Sequence, residues 1–256
     1  MRSPVRLLIG LTLIASLVCC APSAARAGVF SDWAVIVVAG DDHAHSGAIS
    51  NVFDNARRDL VKALIARGFS ADNIRQYSLR PDAYPHDGAQ PTQSLLIVHQ
   101  LEQLSDNTRG GCLLYLTSHG SPEGVLVGDR TWTPNMVSAL LSDTCTNRPV
   151  VVIISACFSG VFVSPLDDAN RMVLTAARPD RTSFGCGEAD RYTYFDGCVL
   201  HEIGAAHDFV ALAHHVQACV AKEEQDTHMS PPSEPQLDIG AALRPTLPLY
   251  AFTAPP

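Results

Sequence analysis

Two short apolar runs of the sequence carry side chains that could react, a histidine in one and a cysteine in the other. The run 115–120 (YLTSHG) carries His119, and the run 150–160 (VVVIISACFSG) carries Cys157. A cysteine thiol needs a base to become a nucleophilic thiolate near neutral pH, and histidine is its usual partner. Gly120 lets a backbone N–H face the same site, so the N–H groups of Gly120 and Cys157 could form an oxyanion hole. The two runs therefore predict hydrolysis through a cysteine nucleophile.

The elements that must position these residues are apolar strands alternating with amphipathic helices. Strands are predicted at 33–39, 74–79, 112–117, 150–155, 172–177 and 237–242, helices at 51–66, 92–104 and 134–141, a helical region at 201–224, and a hairpin at 124–132. Near-continuous Val, Ile and Leu strands in this order predict an α/β fold, a three-layer sandwich with a mainly parallel central sheet flanked by helices. Ligands bind beyond the carboxyl ends of such strands, where both His119 and Cys157 fall.

Three segments and the tail of the chain resemble a known family. They are Thr117-Ser-His-Gly120, Ser155-Ala-Cys-Phe-Ser-Gly160, the stretch 174–188 (LTAARPDRTSFGCGE) and the tail 232–240 (PSEPQLDIG). In these segments, and from about residue 33 to 240, the chain resembles bacterial members of the legumain-like (C13) cysteine peptidases, which have a caspase-like fold. The ordered set of a histidine segment and a cysteine segment is more specific than either segment alone.

The resemblance implies one caspase-like peptidase domain at 28–256 that hydrolyses peptide bonds of a peptide or protein substrate, with no cofactor and no metal. His119 would act as base and then acid, and Cys157 as the nucleophile that forms a thioester. Further residues would bind the substrate, mainly around its P1 side chain: Thr182, Ser183, Phe184, Glu188, Asp196 and Asp42. A transamidase that uses the same two residues, or a catalytically silent binding module on the same fold, are the alternatives.

The sequence also departs from legumain. The legumain pocket has an Arg-His pair shortly after the first strand, and the comparable stretch near Ser50 has none. A preference for Asn or Asp at P1 is therefore not carried over. The candidates for orienting His119 are Asp41, Asp42 and Asn55, none of which matches the family's Asn cleanly. His43 and His45 beside the two aspartates suggest a metal site as a weaker alternative.

The first 27 residues have the pattern of a signal peptide. Arg2 and Arg6 precede an apolar run that is too short to span a bilayer, and Ala25-Arg-Ala27 forms a cleavage site. Lipid attachment at Cys20 is an alternative, so the protein is predicted to be exported, periplasmic or secreted, or tethered by lipid. No later stretch reaches the ~20 apolar residues of a spanning helix, so no integral membrane span is expected.

Charge and cysteine usage limit the partners and suggest disulfide bonds. The formal charge is −8, or −11 beyond residue 27, which argues against nucleic acid as the main partner. Disulfides persist outside the cytosol, so the exported chain is expected to contain them. Cys112 with Cys145 and Cys186 with Cys198 are plausible pairs. Apart from Cys157, one cysteine is then left free or pairs between chains.

Overall fold

The computed structural model of the protein describes residues 28–253. The predicted signal peptide, its cleavage site and Cys20 lie outside these residues. Within the described range, no helix is long and apolar enough to cross a membrane.

A seven-stranded sheet forms the centre of the structure, and a small three-stranded antiparallel sheet lies beside it. The strands are β1 (Ala34–Ala39), β2 (Ile74–Ser78), β3 (Gln90–Pro91), β4 (Cys112–Thr117), β5 (Gly120–Ser121), β6 (Gly124–Val127), β7 (Arg130–Trp132), β8 (Val150–Ser155), β9 (Arg171–Thr175) and β10 (Gln236–Ile239). The large sheet has the order β10-β9-β8-β4-β1-β2-β3, and all its pairs are parallel except β10 with β9. The small sheet has the order β5-β6-β7.

Helices cover both faces of the large sheet. They are α1 (Val52–Ala66), α2 (Ser94–Asn107), α3 (Pro134–Thr144), α4 (Tyr194–Glu202) and α5 (Phe209–Asp226). Apolar side chains of α1, α4 and α5 share one core cluster, and those of α2 and α3 share the other. Successive side chains of a strand point to opposite faces, so Val35 and Val37 enter the first cluster while Ile36 and Val38 enter the second. The predicted three-layer arrangement is confirmed.

The central strands were predictable because they are buried along their whole length. Strands β1, β4 and β8 have no exposed residue, and burying one Val, Leu or Ile side chain contributes about 1.5–3 kcal/mol. The predicted bounds of β4 and β8 are the observed ones. The hairpin predicted at 124–132 is present as β6 and β7.

The helical region predicted at 201–224 consists of parts of two helices, and the first of them starts before residue 201. Helix α4 begins earlier, after Thr193, whose hydroxyl accepts a hydrogen bond from a backbone N–H of the first turn. Helix α5 begins after Asp208, whose carboxylate accepts from the N–H of Ala211 at 2.8 Å. Such side-chain caps satisfy N–H groups that have no partner within the helix, so each marks a separate start. The last strand also ends earlier than predicted, at Ile239.

Two disulfide bonds join elements of the fold. The predicted Cys112–Cys145 bond is present and links the start of β4 to the end of α3. The predicted pairing of Cys186 with Cys198 is wrong, since Cys198 on α4 bonds to Cys219 on α5. The packing of these two helices against each other brings the two sulfur atoms together. Cys157 and Cys186 are the free cysteines of the described range.

Candidate active site

The register of two neighbouring strands brings the two reactive residues to one edge of the sheet. Strands β4 and β8 pair in parallel with Thr117 opposite Ser155. The N–H of Ser118 donates to the carbonyl of Ser155 at 3.1 Å, so the two chains stay together just beyond the strands. His119 and Cys157 each follow two residues after this last pair. Equal spacing after a shared register places both at the same edge.

A cavity of about 460 Å³ lies at this edge and is lined by both residues. Its other lining residues are His45, Gly120, Phe158, Thr182, Ser183, Phe184, Gly185, Cys186, Gly187 and Asp190. The volume is in the range of pockets that bind small molecules or a few side chains of a peptide. A second cavity of about 570 Å³ lies beside the Cys198–Cys219 bond and shares Asp190 with the first.

The imidazole of His119 is held by a backbone carbonyl. Its Nε2 atom lies 3.0 Å from the carbonyl oxygen of His43, and the Phe53 ring packs edge-on against it with 5.1 Å between ring centroids. A carbonyl oxygen only accepts, so this contact puts the proton of the neutral imidazole on Nε2. Nδ1 is then the basic nitrogen. None of the three side chains predicted to orient His119 makes this contact.

The His43 carbonyl is itself fixed by the carboxylate of Asp41. Oδ1 of Asp41 accepts from the backbone N–H groups of Asp42 and His43 and lies 2.9 Å from Nδ1 of His43. The hydrogen bond with Asp41 raises the pKa of His43 above its usual value, although slight burial of the imidazole opposes this shift. Asp41 therefore supports His119 through the backbone of His43 rather than by direct contact.

The groups suggested as metal ligands bond to each other. Ligand atoms of Asp41, Asp42 and His43 lie within 4.8 Å of one another, but Nε of Arg80 lies 3.1 Å from Oδ2 of Asp42. The guanidinium supplies the positive charge that a cation would bring. His45, the other histidine of the metal hypothesis, instead lines the cavity.

The thiol of Cys157 lies against the loop that follows β9. The N–H of Ser183 donates to Sγ at 3.3 Å, and the Ser183 hydroxyl lies 3.6 Å away. A backbone donor at this position stabilises the negative charge of a thiolate. The next residue, Phe158, has a left-handed backbone with φ of +57°, and its N–H donates to the carbonyl of Arg181 at 2.8 Å. That bond fixes the turn at an unfavourable conformation for a bulky residue.

The backbone N–H of Gly120 points away from its neighbouring strand. Leu126 N–H donates to the carbonyl of His119 at 2.9 Å, which makes Gly120 and Val125 a non-hydrogen-bonded pair of the β5–β6 ladder. A Cβ atom on Gly120 would meet the Cys157 carbonyl oxygen at 2.1 Å, so the backbones at 120 and 157 are in direct contact. Neither the Gly120 N–H nor the Cys157 N–H has a hydrogen-bond partner within residues 28–253.

Three residues predicted to bind substrate do not line the cavity. Asp42 is buried and paired with Arg80 and His43, and Asp196 has no exposed surface at all. Glu188 accepts a hydrogen bond from the Ser46 hydroxyl instead. Burial excludes Asp196 from contact with a substrate, whereas the binding roles of Asp42 and Glu188 stay predictions. Thr182, Ser183 and Phe184 surround the cavity, and their role in binding stays a prediction.

Asp196 ties together the two strands that carry the reactive residues. Its carboxylate accepts from the hydroxyls of Tyr115 and Thr117 on β4, both at 2.6 Å, and of Thr193 at 2.9 Å. The Thr193 hydroxyl in turn lies 3.1 Å from that of Ser155 at the end of β8. Burial raises the pKa of Asp196, although the hydrogen bonds from Thr117 and Tyr115 oppose the shift. The network lies directly beneath the strand ends.

The Asp196→Ala variant is expected to lose about 3 kcal/mol of unfolding free energy. Three buried hydroxyls lose their acceptor, and each unsatisfied group costs about 1–3 kcal/mol, part of which relaxation recovers. Denaturant unfolding of the intact, oxidised protein measures the change. Asp143→Ala, on an exposed position of α3, is the matched control and should stay within ~0.5 kcal/mol. A loss below 1 kcal/mol in Asp196→Ala would contradict the network.

Two backbone groups and one acid that lie at this site were not predicted from the sequence. The His43 carbonyl and the Ser183 N–H have no residue-type signal, since every residue carries these groups. Asp190 lines the cavity as well, and it follows by two residues the stretch 174–188 that carries the resemblance. Cys186 was assigned to a disulfide and instead lines the cavity.

Comparisons with known proteins agree with this geometry. The structure is similar to that of caspase-1 from Spodoptera frugiperda, with a TM-score of 0.60 and 16% sequence identity over 84% of this chain and 88% of that chain. At this identity the likeness shows the caspase-like fold alone. No curated protein matches the chain at a significant level. The model of the Peptidase C13 family matches residues 90–218, half of the chain, a range that includes both His119 and Cys157. The chain belongs to the Peptidase C13 family.

Proposed function

We propose that the protein is an exported cysteine endopeptidase that cleaves peptide bonds through a dyad of Cys157 and His119. The observation that carries the proposal is the shared cavity of thiol and imidazole, with His119 Nε2 bound to a carbonyl oxygen. That bond leaves Nδ1 free to take a proton. Membership of the Peptidase C13 family supports the same chemistry.

The reaction begins with transfer of the Cys157 proton to His119. The thiolate attacks the scissile carbonyl, and the negative charge that develops on oxygen is held by the N–H groups of Gly120 and Cys157. His119 then gives its proton to the leaving amine, and a thioester remains on Cys157. Water, deprotonated by His119, hydrolyses the thioester and restores the thiol. Every proton that moves passes through one imidazole.

Export and a single peptidase domain belong to the same proposal. Two disulfide bonds within the described range support export, since disulfides persist mainly outside the cytosol. One sheet that includes strands from β1 to β10 supports a single domain over residues 28–256.

A peptide that carries an acyloxymethyl ketone is expected to label Cys157 at pH 7. Such a ketone alkylates a cysteine thiolate when the surrounding site binds the peptide next to that thiolate. Cys186 competes poorly, because burial and then the neighbouring Cys157 charge raise the pKa of its thiol. Mass spectrometry of a digest identifies the labelled residue.

The Cys186→Ser variant is the matched control and should be labelled at the wild-type rate. A folded protein with a free Cys157 thiol that takes no label would overturn the proposal in favour of a binding module. A labelled enzyme that releases product only when an external amine is added would instead be a transamidase.

A further inference from the structure

Two cysteine thiols of the described range are left out of the disulfide bonds, and both belong to the same cavity. Four cysteines form the two disulfide bonds of residues 28–253. The two that remain, Cys157 and Cys186, line the cavity of about 460 Å³ at the candidate active site. The proposed reaction uses Cys157 alone, so Cys186 is a second thiol at the site with no role in the chemistry.

A short stretch of one loop connects the two thiols. The N–H of Ser183 donates to Sγ of Cys157, and Cys186 follows three residues later. An extended chain spans at most about 3.6 Å per residue, so Cys186 lies within about 11 Å of Ser183. The half-buried side chain of Cys186 packs on the small cluster that includes Phe53, whose ring also contacts His119. Cys186 therefore lies close to both residues of the proposed dyad.

The loop that carries Cys186 has few contacts that fix its backbone. Cys186 stands between Gly185 and Gly187, and residues 182–186 have no regular secondary structure. Within residues 28–253, the backbone of Cys186 makes one hydrogen bond, which the N–H of His45 donates to its carbonyl at 3.1 Å. Segments with few hydrogen bonds open at low cost. A disulfide needs Cα atoms about 4.4–6.8 Å apart, a separation that this loop can reach by folding over the cavity.

We infer that Cys157 and Cys186 form a reversible disulfide bond that blocks the nucleophile, an inference whose effect on activity rests on the proposed peptidase function. The oxidant is a low-molecular-weight disulfide, such as oxidised glutathione. The Cys157 thiolate attacks one of its sulfur atoms, and a mixed disulfide forms as the first thiol leaves. The Cys186 thiolate then attacks the Cys157 sulfur and releases the second thiol. The two protein thiols are oxidised, the small disulfide is reduced, and two protons pass to the released thiols.

The surroundings of each sulfur atom set the order of the two attacks. The N–H of Ser183 stabilises negative charge on Cys157, which favours Cys157 as the first thiolate. Burial, and then the charge of Cys157, raise the pKa of the Cys186 thiol. The second of these causes disappears in the mixed disulfide, because the Cys157 sulfur no longer carries a charge. Cys186 thus becomes more reactive at the step that needs it.

Counting free thiols by alkylation and mass spectrometry tests the inference on the folded, intact protein. After treatment with oxidised glutathione at pH 7, we expect the wild type to lose both thiols together. A tryptic digest made without reductant should contain the peptides of Cys157 and Cys186 joined to each other. Labelling of Cys157 by the peptidyl ketone should be lost in the same proportion and should return with reduced glutathione. The two structural disulfides should persist in that reagent, since Cys112, Cys145 and Cys198 are buried.

The Cys186→Ser variant is the matched control, because it removes only the second thiol. With oxidised glutathione it should accumulate a stable mixed disulfide on Cys157, whereas the wild type should keep no glutathione at the end of the reaction. Before oxidation, the variant should be labelled by the ketone at the wild-type rate, which also reports that its site is folded.

The outcomes separate this inference from the proposed function. If the wild type accumulates glutathione on Cys157 as the variant does, or keeps both thiols free, the disulfide is overturned while the peptidase proposal stands. If the two cysteines join but the reduced protein takes no label from the ketone, the peptidase proposal fails and the disulfide stands.

Discussion

The His119→Ala variant is expected to lose about 10⁴-fold in kcat/KM for any peptide that the wild type cleaves. In the proposed mechanism, one imidazole removes the thiol proton, protonates the leaving amine and activates water. General acid-base catalysis of this kind contributes up to about 10⁴-fold. The rest of the site remains, since Ser183 N–H still donates to the sulfur and the proposed oxyanion donors are backbone groups. Initial rates at pH 7 with a fluorogenic peptide measure the loss.

The pH dependence of the His119→Ala variant gives a sharper readout than its rate alone. The variant lacks the imidazole that takes the thiol proton, so only solvent can remove this proton. Alkylation of Cys157 at pH 7 should therefore be slower in the variant than in the wild type and should rise steadily as the pH is raised. His99→Ala, on an exposed position of α2, should match the wild type. A loss smaller than tenfold in His119→Ala would rule out the dyad.

The sequence predicts the positions of the dyad because the signal is local. An apolar run and the residue type at its end are both visible along the chain, and a parallel register then brings 119 and 157 together. The support for His119 was not predictable, because it comes from a backbone carbonyl. A carbonyl acquires a role only through the loop conformation that Asp41 fixes.

Long-range packing accounts for the other errors. The Cys198–Cys219 bond depends on how α4 packs against α5, and a helical region predicted to begin at residue 201 leaves Cys198 outside it. Asp196 is an acid that follows the stretch 174–188, and it was assigned to the pocket. Its burial follows from hydroxyls on β4 that lie far away in sequence. A pattern along the chain reports residue types but not which polar groups find each other in the core.

Gly120→Ala is expected to reduce kcat/KM by about 10³-fold, although it replaces neither side chain of the proposed dyad. The added Cβ would lie 2.1 Å from the Cys157 carbonyl oxygen and 3.0 Å from Cβ of Ala156. Both neighbours belong to the strand-end turn that carries the nucleophile, so the backbone must move. The two N–H groups that are proposed to bind the oxyanion then separate, and loss of one such donor costs about 10²–10³-fold in kcat.

The division of the Gly120→Ala effect between rate constants distinguishes an oxyanion role from general damage. Displaced donors act only when charge develops on oxygen, so kcat should fall while KM stays within about threefold. Gly204→Ala adds the same methyl group in the turn between α4 and α5, where the nearest atom is 3.7 Å away, and should keep wild-type kinetics. Unfolding of both variants by denaturant shows whether the fold is kept. If a folded Gly120→Ala protein retains kcat within threefold of the wild type, then the contact between residues 120 and 157 does not build the oxyanion site, and the donors must come from elsewhere in the cavity.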